Sequence, residues 1–414
     1  MRNARVKLSL AILALAWTGG SLGHWSGTEG RAFAQQPTAV QVDPAEAETV
    51  LTGAAFAPCD FQCIPAPFAA SGGTAGPAWY FQIEGLALKR DASRSQMFQA
   101  FVERVWTETD PPGWEATDFV TGVLGTGDLH FGFQAGARAL VGHTLGQCSA
   151  FEVSYFELTD WSEEAAVRDA TEFIQEVDGN GDPTLTFPAS LFSPFSEFGD
   201  PSIIGLDYNN LAYISYESTL SNLEWNLRRW ILADPRRLTA SVLVGGRYMN
   251  IDETFFYQTE SDVPDPQGAT NEVTTDTTNS MMGVQVGAAF EFFVDTDPGW
   301  WVDCEIKGAV FNNDASQRTV YVHDGVDTYQ GTHPGRRDDN ITAFALDLRL
   351  NATVLITPRL AVIGGYQALW VDGLALASEN MSQDVNVLTS GPPTLVEDGK
   401  VLYHGPHLGL TWVW

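Results

Sequence analysis

Met282-Gly283-Val284-Gln285-Val286-Gly287-Ala288-Ala289-Phe290-Glu291-Phe292-Phe293-Val294 is the stretch that decides the fold. Met282, Val284, Val286, Ala288, Phe290, Phe292 and Val294 fall on one side of an extended chain. Gly283, Gln285, Gly287, Ala289, Glu291 and Phe293 fall on the other. A period of two belongs to a β-strand, whose side chains alternate between two faces. Asp128–Val141 repeats it, with Leu129, Phe131, Phe133, Ala135, Ala137, Ala139 and Val141 opposite Asp128, His130, Gly132, Gln134, Gly136 and Arg138. In Phe344–Ile356, Leu346, Leu348, Leu350, Ala352 and Val354 alternate with Asp347, Arg349, Asn351 and Thr353. Strands in ordinary sheets average about 5–6 residues, whereas a tilted membrane strand needs about 9–11. These runs are long enough for the second kind.

Working outward, the same pattern predicts ten strands, at 79–90, 128–142, 149–158, 211–231, 237–251, 281–294, 300–311, 342–356, 359–374 and 401–414. The connections between them alternate. Long ones at 91–127, 159–210, 252–280, 312–341 and 375–400 take turns with short ones at 142–147, 232–236, 295–299 and 357–358. An outer-membrane barrel has long outer loops and short periplasmic turns. A soluble sandwich has no reason to sort its connections this way. Aromatics stand near the strand ends, where an interfacial girdle sits: Trp79, Tyr80, Trp225, Trp230, Tyr248, Trp300, Trp301, Tyr366, Trp370, Trp412 and Trp414. The expected fold is all-β: one closed antiparallel transmembrane β-barrel of about ten strands, or twelve if a long loop hides a hairpin. An even strand number places both termini in the periplasm. The alternation Leu408, Leu410, Trp412, Trp414 runs to the last residue, like the terminal signal read by barrel-assembly machinery.

A barrel turns the polar face of each strand into a lumen wall. The lumen-lining residues read from parity are Gln82, Glu84, His130, Gln134, Arg138, Glu152, Ser154, Asn222, Glu224, Asn226, Arg228, Arg247, Gln285, Glu291, Asp303, Glu305, Lys307, Asp347, Arg349, Asn351 and Gln367. Charges of both signs in such a wall must pair or stay hydrated. Two readings stay open: hydrated pore, or lumen filled by a salt-bridge network. Interiors of about eight strands are filled by side chains and open channels need about sixteen, so ten lies nearer the closed end.

Arg2, Arg5 and Lys7, the apolar run Leu8–Trp17 and Ala32-Phe33-Ala34 make residues 1–34 a cleavable signal peptide. Export to the outer membrane follows, with outer-membrane lipid as solvent. Residues 35–77 form an irregular segment, and the barrel occupies 78–414. Cleavage changes 22 basic and 52 acidic residues to 18 and 51, a net charge of −33. That surface disfavours nucleic acid and attracts cations. Cys59 and Cys63 are spaced for a small disulfide loop or for free thiols; both readings stand. Asp178, Asn180 and Asp182 match the opening of a calcium loop, but Pro183 and Ala189 break the pattern. A loop cation stands there as an alternative to a solvated acidic turn; no other cofactor is expected. No Gly-x-Ser-x-Gly elbow, phosphate-binding glycine loop or His-Glu-x-x-His occurs, so the chain does not read as an enzyme.

Four stretches carry a resemblance. They are Trp79-Tyr80-Phe81-Gln82-Ile83-Glu84-Gly85-Leu86; Ser218–Arg229 with Val244-Gly245-Gly246-Arg247-Tyr248 and Asp252-Glu253; Gly365–Trp370 with Gly373–Ala377; and Tyr403–Gly409 running on to Trp414. In these the chain resembles the beta-barrel porin-7 family of outer-membrane proteins. The resemblance covers 79–414 and implies a pore former without catalytic residues. Passive diffusion of small hydrophilic solutes, favouring cations at an acidic mouth, is therefore the expected function. A non-conducting surface, adhesin or scaffold protein displaying acidic loops is the alternative.

Overall fold

A computed structural model describes residues 79–92, 94–109, 113–146, 148–168, 174–177, 183–186, 191–199, 206–234, 238–261, 269–295, 299–324, 330–390 and 394–414. The expected signal peptide, the Cys59–Cys63 segment and the Asp178, Asn180, Asp182 loop lie outside the described residues.

The ring strands are β1 (Trp79–Ala92), β4 (Gln134–Thr144), β5 (Ser149–Arg168), β9 (Leu211–Asp234), β10 (Leu238–Ser261), β11 (Ala269–Asp295), β12 (Trp300–His323), β13 (Gly331–Thr357), β14 (Leu360–Leu374) and β15 (Gly399–Val413). They pair in the order β1-β15-β14-β13-β12-β11-β10-β9-β5-β4, and β4 returns to β1. Glu84 of β1 thus stands opposite Gly409 on one side and Arg138 on the other. Every pairing is antiparallel. Closure leaves no strand edge, which is what lipid requires, because unpaired backbone groups there find no water. The ring's ends are tied where it begins and stops: the Trp79 N–H donates to the Trp414 carbonyl at 3.2 Å, and Trp414 reciprocates at 3.0 Å.

The outward faces form an apolar belt near the short turns. On β11, Val294, Phe292, Phe290, Val286, Val284 and Met282 are all exposed, as are Leu408, Leu410 and Trp412 on β15. Beyond Met282 the outward residues of β11 become Ser280, Thr278, Asp276, Thr274 and Glu272, yet the strand continues. β11 and β13 each reach 27 residues. This corrects two expected loops. Residues 252–261, 269–280, 312–323 and 331–341 are strand. Hydrogen-bonded ladders continue there because they no longer depend on an apolar outer face.

Two other long connections carry structure of their own. β2 (Met97–Thr109), β3 (Gly113–Gly125) and the short β8 (Leu191–Phe192) make a three-stranded sheet; β6 (Ile174–Val177) and β7 (Pro183–Thr186) make a hairpin. The connection before β15 carries one helical turn and a half, α1 (Val385–Ser390). The second ring strand also starts later than its alternation suggested. Asp128 closes a 3-10 turn, and Leu129 and Phe131 turn into the core instead of facing lipid.

That core sits inside the barrel. Leu86, Leu88, Leu220, Met249, Ile251, Phe311, Leu369 and Val371 point inward from the loop-side half of the wall. Phe98, Leu124, Phe131, Leu376, Met381, Val385 and Leu388 fold in from the connections and pack against them. Each such side chain contributes about 1.5–3 kcal/mol on burial, so the loops are held in the mouth by ordinary hydrophobic packing.

Candidate functional site

Below the apolar plug, toward the turns, the inner wall is polar. β-strand parity puts every second residue inside, and ten strands bring these side chains within reach across the lumen. Arg228 of β9 bridges two strands: its Nε lies 2.8 Å from Glu152 of β5 and its Nη2 2.6 Å from Glu305 of β12. Arg349 adds a second contact to Glu305 at 3.1 Å. The Lys307 ammonium stands 2.9 Å from Glu224, 3.4 Å from Glu305 and 3.5 Å from Asp347. Arg247 reaches Asp347 at 3.4 Å and Glu224 at 3.7 Å, and its Nε donates to Asn222 at 2.6 Å. Gln285 donates to Glu224 at 3.0 Å and to Asn226 at 2.7 Å. On the far side Arg138 faces Glu84 at 3.7 Å and donates to Gln367 at 3.5 Å, while Gln82 donates to Glu84.

These groups have left water almost completely: Arg247 and Asp347 are 0% exposed, Glu224 and Arg138 1%. Isolated, each charge would cost several kcal/mol to bury. Together they offset one another and fix the wall strands across the lumen. The belt thus brings together Glu84, Arg138, Glu152, Asn222, Glu224, Asn226, Arg228, Arg247, Gln285, Glu305, Lys307, Asp347 and Arg349. Glu291, Asp303 and Asn351 lie on the turn side of it. Two candidates stand apart. Gln134 is at the loop end of β4, paired with Leu88 at the apolar level, and accepts a hydrogen bond from Thr159 at 3.5 Å. His130 precedes the strand and is exposed.

Three of the aromatics expected in the girdle by their place near strand ends face the lumen. Tyr80, Trp230 and Trp301 point inward, 8%, 4% and 5% exposed, and do not join the outer girdle. Tyr80 donates to Glu152 at 2.7 Å. The signal was present, since Tyr80 shares parity with Gln82 and Glu84, Trp230 with Arg228, and Trp301 with Asp303. His407, unremarked in the sequence, is buried with its Nδ1 3.6 Å from Glu84.

Two cavities flank the filled region. One of about 130 Å³ lies at the turn end, walled by Tyr80, Trp230, Trp301, Glu291, Asp303 and Asn351 among others. The other, about 390 Å³, lies at the loop end near Arg90, Arg94, His130 and Ser378. Belt and plug lie between them. Within the plug, Arg90 pairs with Glu253 and packs 4.8 Å from the Tyr216 ring centre.

Residues 211–414, seven of the ten ring strands, match the model of the beta barrel porin-7 family. The match covers β9 to β15, just under half of the chain. The porin-7 segment includes Glu224, Arg247, Gln285, Glu305, Lys307 and Asp347, and so most of the belt. No curated protein sequence matches the chain. Solved structures with similar form include the outer membrane protease OmpT from Escherichia coli, 10% identical, covering 84% of this chain and 100% of that one at a TM-score of 0.39. A Pseudomonas aeruginosa FadL homologue is 9% identical over 84% and 92%, at 0.21. The P. putida toluene transporter TodX is 7% identical over 85% and 92%, at 0.23. With its apolar outer belt, closed ring and porin-7 segment, the chain is an outer-membrane β-barrel protein.

Proposed function

We propose that the protein works as a closed barrel: an outer-membrane scaffold that presents its extended strands and acidic loops outside the cell. The carrying observation is the filled interior. A salt-bridged belt and an apolar plug succeed one another along the axis, and an open channel needs neither. The loop end faces outward and both termini face the periplasm, the usual arrangement of such barrels. In this reading the partners are outer-membrane lipid, the assembly machinery that takes the Leu408–Trp414 strand, and whatever meets the outer loops. Catalysis and nucleic acid have no part in it. A cation held by Asp178, Asn180 and Asp182 would rigidify one of those loops.

The porin-7 match favours a second reading, passive diffusion of small hydrophilic solutes with a preference for cations. On this reading the connections that fill the mouth swing out. Purified, refolded protein in a planar bilayer separates the two. A silent bilayer, with heat-modifiable migration proving a folded barrel, supports the closed scaffold. Discrete current steps in the unmodified protein would overturn it, and their reversal potential in a salt gradient would give the ion preference.

A further inference from the structure

The lumen wall carries an unbalanced charge, and its location is specific. Seven inward carboxylates, Glu84, Glu152, Glu224, Glu291, Asp303, Glu305 and Asp347, face five permanent cations, Arg138, Arg228, Arg247, Lys307 and Arg349. Five of the seven carboxylates have a basic group within 4 Å. The remaining two are Glu291 and Asp303, which form no ion pair among the described residues. They are direct register partners on β11 and β12. Like charges opposite one another destabilise a sheet, so this pair must either share a proton or take up a compensating positive charge.

Both line the 130 Å³ turn-end cavity. Its other features point to a ligand rather than to bulk solvent. The indole N–H of Trp230 and the Oδ1 of Asn351 are buried there without a protein partner, in side chains 4% and 3% exposed. Trp301 and Tyr80 supply aromatic wall. Among the described residues no three His, Cys, Asp or Glu side chains are grouped to hold a metal ion. Arg228 and Arg349 also line the cavity but are engaged by Glu152 and Glu305. That leaves two carboxylates, an amide oxygen and aromatic faces, which suit an ammonium group whose charge is softened by C–H surface that aromatic rings accept.

We propose that the turn-end cavity binds a small organic ammonium ion between Glu291 and Asp303, one carrying an oxygen that accepts the Trp230 indole N–H, as in the amino alcohols. The site lies on the turn side of the belt. It is therefore independent of whether the lumen conducts, and its failure would leave the closed-barrel reading as it stands.

The test uses the full-length barrel refolded in detergent, titrated with ethanolamine hydrochloride and followed by calorimetry and by tryptophan fluorescence. Potassium chloride at equal ionic strength is the control. Saturable binding by ethanolamine and not by potassium is expected. In the Glu291→Gln, Asp303→Asn double variant, affinity should fall at least about tenfold, since both buried counter-charges are gone. Should that variant fail to fold by heat-modifiable migration, the single Glu291→Gln variant serves instead and should weaken binding several-fold. Absence of saturable binding, equal response to potassium, or affinity unchanged in the variants would overturn the site and leave the pair neutralised by a shared proton.

Discussion

At the scale of the residue, what holds the belt together is mutual compensation, not the strength of any one ion pair. Arg228 makes the argument testable. It joins β9 to Glu152 on β5 and Glu305 on β12, with contacts of 2.8 and 2.6 Å. Arg228→Leu leaves Glu305 its contacts to Arg349 and Lys307, but leaves Glu152 with the Tyr80 hydroxyl in place of a cation. The expected cost is about 3–5 kcal/mol, the usual result of stripping a buried charge of its partner. Adding Glu152→Leu should recover most of it, because an apolar pair of similar volume is nearly neutral. Urea unfolding of the refolded barrel measures both; a double variant no better than the single one would mean that bulk, not charge, holds this part of the wall. The sequence made these charges legible because polarity alternates without interruption from Asp303 to Lys307 and from Asp347 to Asn351. It hid Tyr80, Trp230 and Trp301 because an aromatic near a strand end suits either face, and only parity decides.

At the scale of the element, the barrel strands were legible wherever one face met lipid. Met282–Val294 announces itself because Val, Phe and Met alternate with Gly, Gln and Glu. The continuation Asn271–Ser280 is mostly polar on both faces, with Asn271, Thr275, Thr277 and Asn279 on one and Glu272, Thr274, Asp276, Thr278 and Ser280 on the other, so no contrast marks it, and it reads as loop. Two cysteine variants measure where the boundary falls. Thr278→Cys should react with a membrane-impermeant maleimide in intact cells, and Val286→Cys should not; labelling of both would place the apolar belt elsewhere. The connection 375–400 is governed by a different contrast. Arg94 lies 3.4 Å from Glu379 and 2.5 Å from Asp398. Burial raises the pKa of Glu379 despite Arg94, whereas the hydrogen bond from Arg94 lowers that of Asp398. Glu379 therefore favours the packed loop fully below its ordinary value of 4.5, and that contribution is lost as the pH rises through its raised folded value. The Asp398 contribution is present above its ordinary value of 3.8 and is lost only as the pH falls through the lowered one. Hydrogen-exchange protection of residues 375–390, taken relative to the base-catalysed intrinsic rate at each pH, should be greatest in mild acid and smaller at neutral pH, and Glu379→Gln should flatten the neutral side of that profile.

At the scale of the whole molecule, ten strands set the radius, and the radius makes the interior a site of packing. The wall and a salt-bridged filling were readable in advance; the apolar plug was not. The plug is assembled from Phe98, Leu124, Leu129, Phe131, Leu376 and Met381, which lie far apart in the chain and carry no common period. It meets an inner face that changes from Glu84 to Leu86 within a single strand of unbroken register. Plug and belt lie in series along the axis, so each should block passage without the other. Met381→Asp with Val385→Asp places two charges in apolar surroundings and should expel the loop, since unpaired charge there is costly. Replacing Glu224, Arg247, Lys307 and Asp347 with serine opens the belt and leaves its net charge unchanged, two cations and two anions being removed. Liposome swelling in a small neutral sugar then has a definite pattern. Neither variant alone should swell the vesicles, and the combination should. Swelling with the plug variant by itself would mean that the belt is hydrated enough to pass solute, and that the inward-folded loops are what closes this barrel.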